Sequence, residues 1–335
     1  MYPKNWIRRN LQKPKMNTRY YDISLLRVVA MLLVVYYHCI CPYYMWRNGI
    51  ASAGVVIPLY QRLSVGLSMV HLPVFFAVAG YLFGYKRVGG GYTDQRRFLM
   101  DKAKRVLVPY FTVGLLMIGL RQGRLIGLIA GGVGHLWFLM TLFECYAVGK
   151  LIDFVLAERI RVKVAALFFT ALCWALSTFW PFVLGHDFPH YFFFYLGGML
   201  LGTLDIDRLR KWRMLFVMIV VVSLAVMVLE ATLGSRRLLA WPGSIALVFF
   251  VLLAFRTSHI GDVPRWVKSL DVCSMGIYIV HHIVIQAMDR TDLLRPLLQT
   301  HYYMYPSVQF VLVLLFSWGL VWTLRRYSFA RYFGL

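Results

Sequence analysis

Residues 25–38 read LLRVVAMLLVVYYH, one arginine, ten residues, and a histidine inside an otherwise apolar run that extends over about 23–41. A run of this length reaches across about 30 Å of hydrocarbon at 1.5 Å per residue. A charged side chain in such a helix is costly, and it commonly faces a protein interior or a water-filled cavity. Arg27 and His38 are 11 residues apart, and 11 steps of about 100° return to within roughly 20° of the starting direction. They therefore share one helix face and stand about 16 Å apart along its axis. Either the pair serves a buried site, or Arg27 snorkels to headgroups while His38 is a satisfied interfacial residue.

The rest of the chain repeats this pattern. Further apolar runs occupy about 64–84, 106–120, 135–151, 164–182, 189–204, 214–232, 238–255, 272–289 and 306–324. The fold class expected is all-α, a polytopic membrane bundle of about ten transmembrane helices. Composition agrees: 60% of residues are hydrophobic and 15% charged, where a soluble domain carries about a quarter charged. The segment 125–133 (LIGLIAGGV) is too short to span and reads as interfacial or re-entrant. Three parts are expected: a basic segment 1–22, a membrane domain 23–324 and a tail 325–335.

A net charge of +22 raises the question of nucleic acid. The Lys and Arg residues, however, lie in short clusters between apolar runs, a pattern that orients a membrane protein and attracts anionic headgroups. With the N-terminus cytoplasmic, 27 of the 36 Lys and Arg residues fall on the cytoplasmic side. Both termini are accordingly expected there, with membrane lipids as partners and no nucleic acid. The first residues are polar and basic and carry no signal-peptide pattern.

The polar residues of the spans mark the candidate site. His71 lies in the outer half of the second run, His135 opens the fourth, and His281 and His282 lie near the middle of the ninth. Neutral imidazoles exchange protons near pH 7, which suits activation of a hydroxyl. No H-E-x-x-H spacing appears, so no metal is expected. Glu144 reads as the acid deep in a span: it orients a histidine, pairs with Arg27, or makes a structural interhelical bond. Trp137, Tyr81, Tyr195 and Tyr278 are candidates for a sugar platform, or belong to the interfacial aromatic belt. At the basic end, Arg96-Arg97 and Lys102-Ala103-Lys104-Arg105 precede Pro109, as a positive-inside loop or as a cradle for phosphates. Gly89-Gly90-Gly91 lacks the Lys-Ser/Thr of a phosphate loop and reads as a flexible linker. Five cysteines, Cys39, Cys41, Cys145, Cys173 and Cys273, are scattered through apolar segments and are expected to be free thiols.

Five stretches together resemble the acyltransferase 3 family of membrane acyltransferases: LLRVVAMLLVVYYH (25–38), HLPVFFAVAGYLFG (71–84), KAKRVLVPY (102–110), GHLWFL (134–139) and SMGIYIVHHIVI (274–285). The chain departs from the family pattern at three places. Ser24 stands where an Asp is usual three residues before the arginine, Ala79 where a Ser precedes the second-span glycine, and Lys102 at the first basic position of the R-x-x-R entrance.

The resemblance implies O-acylation, most often acetylation, of a sugar hydroxyl on an extracytoplasmic glycan or lipid-linked sugar. Cytosolic acetyl-CoA or another acyl-CoA would be the donor, and the setting a bacterial cytoplasmic membrane with envelope-glycan biosynthesis proteins as partners. His38 would be the general base, with Arg27 and Glu144 in the catalytic set. Lys102, Arg105 and Arg27 would hold the donor phosphates. His71, His135, Trp137, Tyr278 and His281 would face the acceptor. A transporter or flippase is the competing reading, and the absence of an internal repeat speaks against it.

Overall fold

The computed structural model describes residues 21–40, 57–120 apart from 69, 125–129, 133–156, 164–172, 188–204, 248–254, 263–291 and 303–333, with short stretches between 211 and 225 and between 297 and 301. Among these residues the chain is helical and contains no strand. The elements that carry the site are α1 (Tyr21–Ile40), α2 (Pro58–Ser68), α3 (His71–Val88), α4 (Gln95–Gly119), α5 (Leu125–Ile129), α6 (Trp137–Leu156), α7 (Phe188–Thr203), α8 (Arg265–Arg290) and α9 (Tyr305–Leu324). Single 3-10 turns at Gly134–Leu136 and Ser328–Phe333 precede α6 and follow α9.

Five helical segments are long and apolar enough to cross a membrane: Ile23–Ile40, Pro58–Val88, Gly134–Phe154, Arg265–Arg290 and Tyr305–Leu324. The runs expected at 164–182, 214–232 and 238–255 lie partly outside the described residues, as does the segment 1–20. The short piece near 125–133 forms only the five-residue α5. Its Leu128 carbonyl accepts a hydrogen bond from Tyr110 Oη at 3.0 Å, which ties it to α4.

Two apolar clusters organise the packing. One joins α1, α3, α4, α6 and α7, and the other joins α1, α8 and α9. The closest helix pair is α3 with α7, and small residues make it possible. A Cβ on Gly80 would stand 1.8 Å from the Tyr195 carbonyl oxygen, and one on Gly198 would stand 2.0 Å from that of Ala77. This is the small-xxx-small approach by which membrane helices gain van der Waals contact that apolar lipid cannot supply. Tyr195 and Tyr81 are buried in this packing.

The glycines after α3 form an ordered turn, contrary to the expected flexible linker. Gly90 adopts φ +81°, which a residue without Cβ reaches at no steric cost. Gly91 N–H then donates to the Lys86 carbonyl at 2.8 Å. The turn delivers Tyr92, itself at φ +57°, whose carbonyl accepts from Lys150 Nζ at 2.7 Å. Lys150 and Arg87 both pair with Asp153, so α3, the turn and α6 are clamped together by compensated charges.

Candidate active site

α1 and α8 run parallel and meet twice. At one level Arg27 Nη1 lies 3.4 Å from Asp271 Oδ1, and Nη2 donates to Ser274 Oγ at 3.3 Å. Eleven residues further along α1, His38 Nδ1 lies 3.2 Å from His281 Nε2. Both members of the 25–38 pair therefore face α8, as their spacing predicts. The acid on Arg27 is Asp271, and the reading of Glu144 as the acid deep in a span needs correction. Asp271 and Asp153 are both buried, and α8 begins at Arg265, seven residues before the apolar run that located it. Glu144 lies part-buried on α6. Ser24 Oγ donates to Asp271 Oδ2 at 2.8 Å. The serine at this position thus supports a carboxylate that arrives from α8.

A cavity of about 250 Å³ opens beside Arg27. Arg27, Lys86, Lys102 and Arg105 line it with positive charge, and Tyr92, Tyr146, Phe138 and Tyr278 with aromatic surface. Lys102 Nζ stands 4.1 Å from the Tyr146 ring centroid, a cation–π contact that holds the ammonium over the cavity wall. Burial pushes the Lys102 ammonium down to about 8; Tyr92 opposes that shift, and Arg105, Lys86 and Arg27 add repulsion. Lys86 and Tyr92 were missed from sequence, and only the basic end of the second run hinted at them.

Beyond Tyr278, outside the residues that line this cavity, lies a buried cluster of imidazoles that Tyr278 touches through His135 and His281. The rings of His135 and His282 stack with centroids 4.8 Å apart, and His135 and His281 are at 5.0 Å. His38 and His281 are also at 5.0 Å, and His38 and His282 at 5.7 Å. Three elements distant in sequence, α1, the 3-10 turn before α6, and α8, bring these four rings together. His71 stands one residue removed, stacked on Tyr37 at 4.9 Å. Tyr278 links the two zones: it lines the cavity, and its hydroxyl donates to the His135 carbonyl at 2.5 Å. Trp137 packs on Tyr191 of α7 with centroids 5.2 Å apart.

Backbone carbonyls set the tautomers. His38 Nδ1–H donates to Val34 O at 2.9 Å, His281 Nδ1–H to Tyr278 O at 2.6 Å, and His135 Nε2–H to Ile279 O at 3.1 Å. His71 Nδ1–H bonds the Leu67 carbonyl in the same way. A neutral imidazole has one donor and one acceptor nitrogen. Each carbonyl thus occupies the donor and leaves the other nitrogen a lone pair; on His38 that nitrogen is Nε2. His281 Nε2, also an acceptor, shares the His38 Nδ1 proton and fixes the ring. Among the described residues no group of His, Cys, Asp and Glu has the arrangement of a metal site.

Residues 20–326 match the model of a membrane acyltransferase family, described as an acyltransferase domain. The chain belongs to the acyltransferase 3 family. No curated protein and no solved structure matches it. The family match covers both zones of the site, and acyltransferase chemistry calls for both a donor pocket and a base. The acyltransferase 3 motif residues Arg27, His38, Lys102, His135 and Tyr278 all fall on the cavity or the imidazole cluster.

Proposed function

We propose that this membrane acyltransferase moves an acetyl or other acyl group from cytosolic acyl-CoA to a hydroxyl of an envelope polysaccharide or lipid-linked sugar, at the opposite face of a bacterial cytoplasmic membrane. The observation that carries the proposal is that Tyr278 lines a cavity with four cations and also packs on a buried cluster of four imidazoles. A phosphate-bearing thioester matches the cationic zone by charge, and Arg27 and Arg105 supply planar guanidinium donors for phosphate oxygens. Lys102 contributes a point charge there. The cavity's aromatic end at Phe138 and Tyr278 suits the apolar reach of a thioester arm and excludes bulk water from the reacting carbonyl.

His38 Nε2 accepts the proton of the acceptor hydroxyl as its oxygen attacks the thioester carbonyl. The C–O bond forms, the C–S bond breaks, and the thiolate leaves with the pair of electrons. The Val34 carbonyl keeps Nδ1 protonated, so the imidazolium formed carries its charge against a fixed acceptor. His71, His135 and His281, with Tyr278, border the place where the hydroxyl must stand. Asp271 orients Arg27 and keeps that guanidinium's charge compensated when the donor is absent.

The test is transfer of radiolabelled acetyl from acetyl-CoA to endogenous acceptor in membranes that carry the wild-type chain or His38→Ala. The proposal expects label in the wild type and its loss in the variant; normal transfer by the variant overturns the role of His38. Mass spectrometry of envelope glycans from cells with and without the gene then identifies acyl group and acceptor together.

A further inference from the structure

A second cavity, outside the donor pocket, lies between α8 and α9 at the Arg27 end of the bundle. It has a volume of about 410 Å³ and is lined by Lys268, Ser269, Val272, Cys273, Trp322, Arg325 and Arg326. Its chemistry is amphiphilic, with three cations above an apolar floor made by Val272, Cys273 and the Trp322 indole. We propose that this groove binds an anionic phospholipid, with the phosphate on Arg325 and Arg326 and the first acyl methylenes against Val272 and Trp322.

Three observations support this occupant. The arginines are pre-placed: Arg325 Nη1 donates to the Val272 carbonyl at 2.8 Å, and the Arg326 guanidinium lies 4.0 Å over the Trp322 ring. Each arrangement uses one part of the guanidinium and leaves further N–H donors for a phosphate. Among the described residues, no carboxylate pairs with either arginine. The flank of the groove faces lipid, since only 22% of the α9 span is buried, with Val311, Leu315, Phe316 and Leu320 exposed along it. Exposed Trp266, Trp322, Tyr327 and Tyr332 collect at the same end, which is where amphipathic rings mark the headgroup level. A soluble anion would leave the apolar floor uncovered, whereas a phospholipid covers both parts.

The groove lies behind the turn that holds Arg27. Val272, whose carbonyl binds Arg325, follows Asp271 and precedes Ser274 by two residues. An occupied groove therefore braces the same turn from its lipid side.

The experiment is native mass spectrometry of the full-length, delipidated chain titrated with dioleoyl phosphatidylglycerol or with dioleoyl phosphatidylcholine. Each cation near an anionic headgroup favours binding, so the wild type is expected to retain the anionic lipid about tenfold better than the neutral one. Equal retention of the two lipids by the wild type overturns the proposal and requires no variant to fold. Arg325→Gln/Arg326→Gln is expected to abolish the preference, while Arg265→Gln/Lys211→Gln, which removes the same charge from exposed positions outside the groove, retains it. Loss in both double variants would mean diffuse surface charge and would overturn the site. Displacement of the lipid by millimolar sn-glycerol 3-phosphate would assign the arginines to a soluble phosphate and overturn the choice of lipid.

Discussion

At the Arg27 end of the site, full charges dominate: four cations around about 250 Å³, one of them paired to a buried carboxylate. At the His38 end no such charge is needed. Four rings lie within one another's reach, and backbone carbonyls hold the N–H of His38, His135 and His281. A cation zone binds well and is indifferent to proton transfer, whereas a cluster of neutral imidazoles can move a proton but attracts phosphate weakly. The contrast teaches that one site can divide binding from chemistry along a helix axis, provided a residue such as Tyr278 borders both zones.

Substitutions on either side should separate the two roles. His38→Ala should lower the rate of acyl transfer by about 10²–10⁴, the range for a general base, with donor affinity unchanged. Turnover and acyl-CoA binding measured on one preparation check this, and parallel losses in both would collapse the division. Arg27→Gln should do the reverse and raise KM for the donor about 10–100-fold, as removal of a charge-assisted hydrogen bond does. Steady-state kinetics with acyl-CoA and with an acyl-pantetheine that lacks the nucleotide phosphates should show the penalty only for the former.

A smaller effect is expected at Ser24. Restoring the family's usual acid with Ser24→Asp places a second carboxylate against Asp271, whose Oδ2 is 2.8 Å from the serine hydroxyl. Like charges at that distance disfavour joint ionisation. The variant should melt a few degrees lower, about 1–2 kcal/mol at this size, and recover when the pH is lowered enough to protonate one acid. An unchanged or raised melting temperature would show that Asp271 is not held where the structure places it.

The smallest effect concerns pH. Lys102 has its ammonium pushed down to about 8, so its charge is present below that pH and lost as pH rises through it. Donor affinity should fall a few-fold between about pH 7 and 9, since one of the four positive charges that face the donor phosphates is lost over that window. Lys102→Arg, charged throughout, should flatten the profile; a fall that persists in this variant assigns the titration to another group.

The sequence made one helix face legible because Arg27 and His38 obey helical arithmetic within a single element. Family motifs extended that reading to Lys102, His135 and Tyr278. It could not show the partner of Arg27, since Asp271 is 244 residues away and precedes the apolar run by which its helix was found. Glu144 was conspicuous for the opposite reason, being surrounded by apolar residues in sequence, and it lies part-buried on α6. Tyr92 was hidden by its backbone, because a tyrosine at φ +57° after three glycines has no pattern that composition reveals. The all-helical character and the apolar segments were readable from periodicity and length. Of the ten expected crossings, those at 106–120 and 189–204 form α4 and α7, which are not among the five spanning segments, and three others lie partly outside the described residues.

The parallel register of α1 and α8 works as a ruler with two fixed marks. The contacts at 27 with 271 and at 38 with 281 are separated by eleven residues on α1 and ten on α8. Inserting one residue between the marks on α8 would turn one of them by about 100°, so at most one contact could survive. The distance from guanidinium to imidazole is thus set by two rigid rods and not by loops. It can be lengthened only in whole turns of about 5.4 Å, so a donor arm of another length would call for another pair of rods.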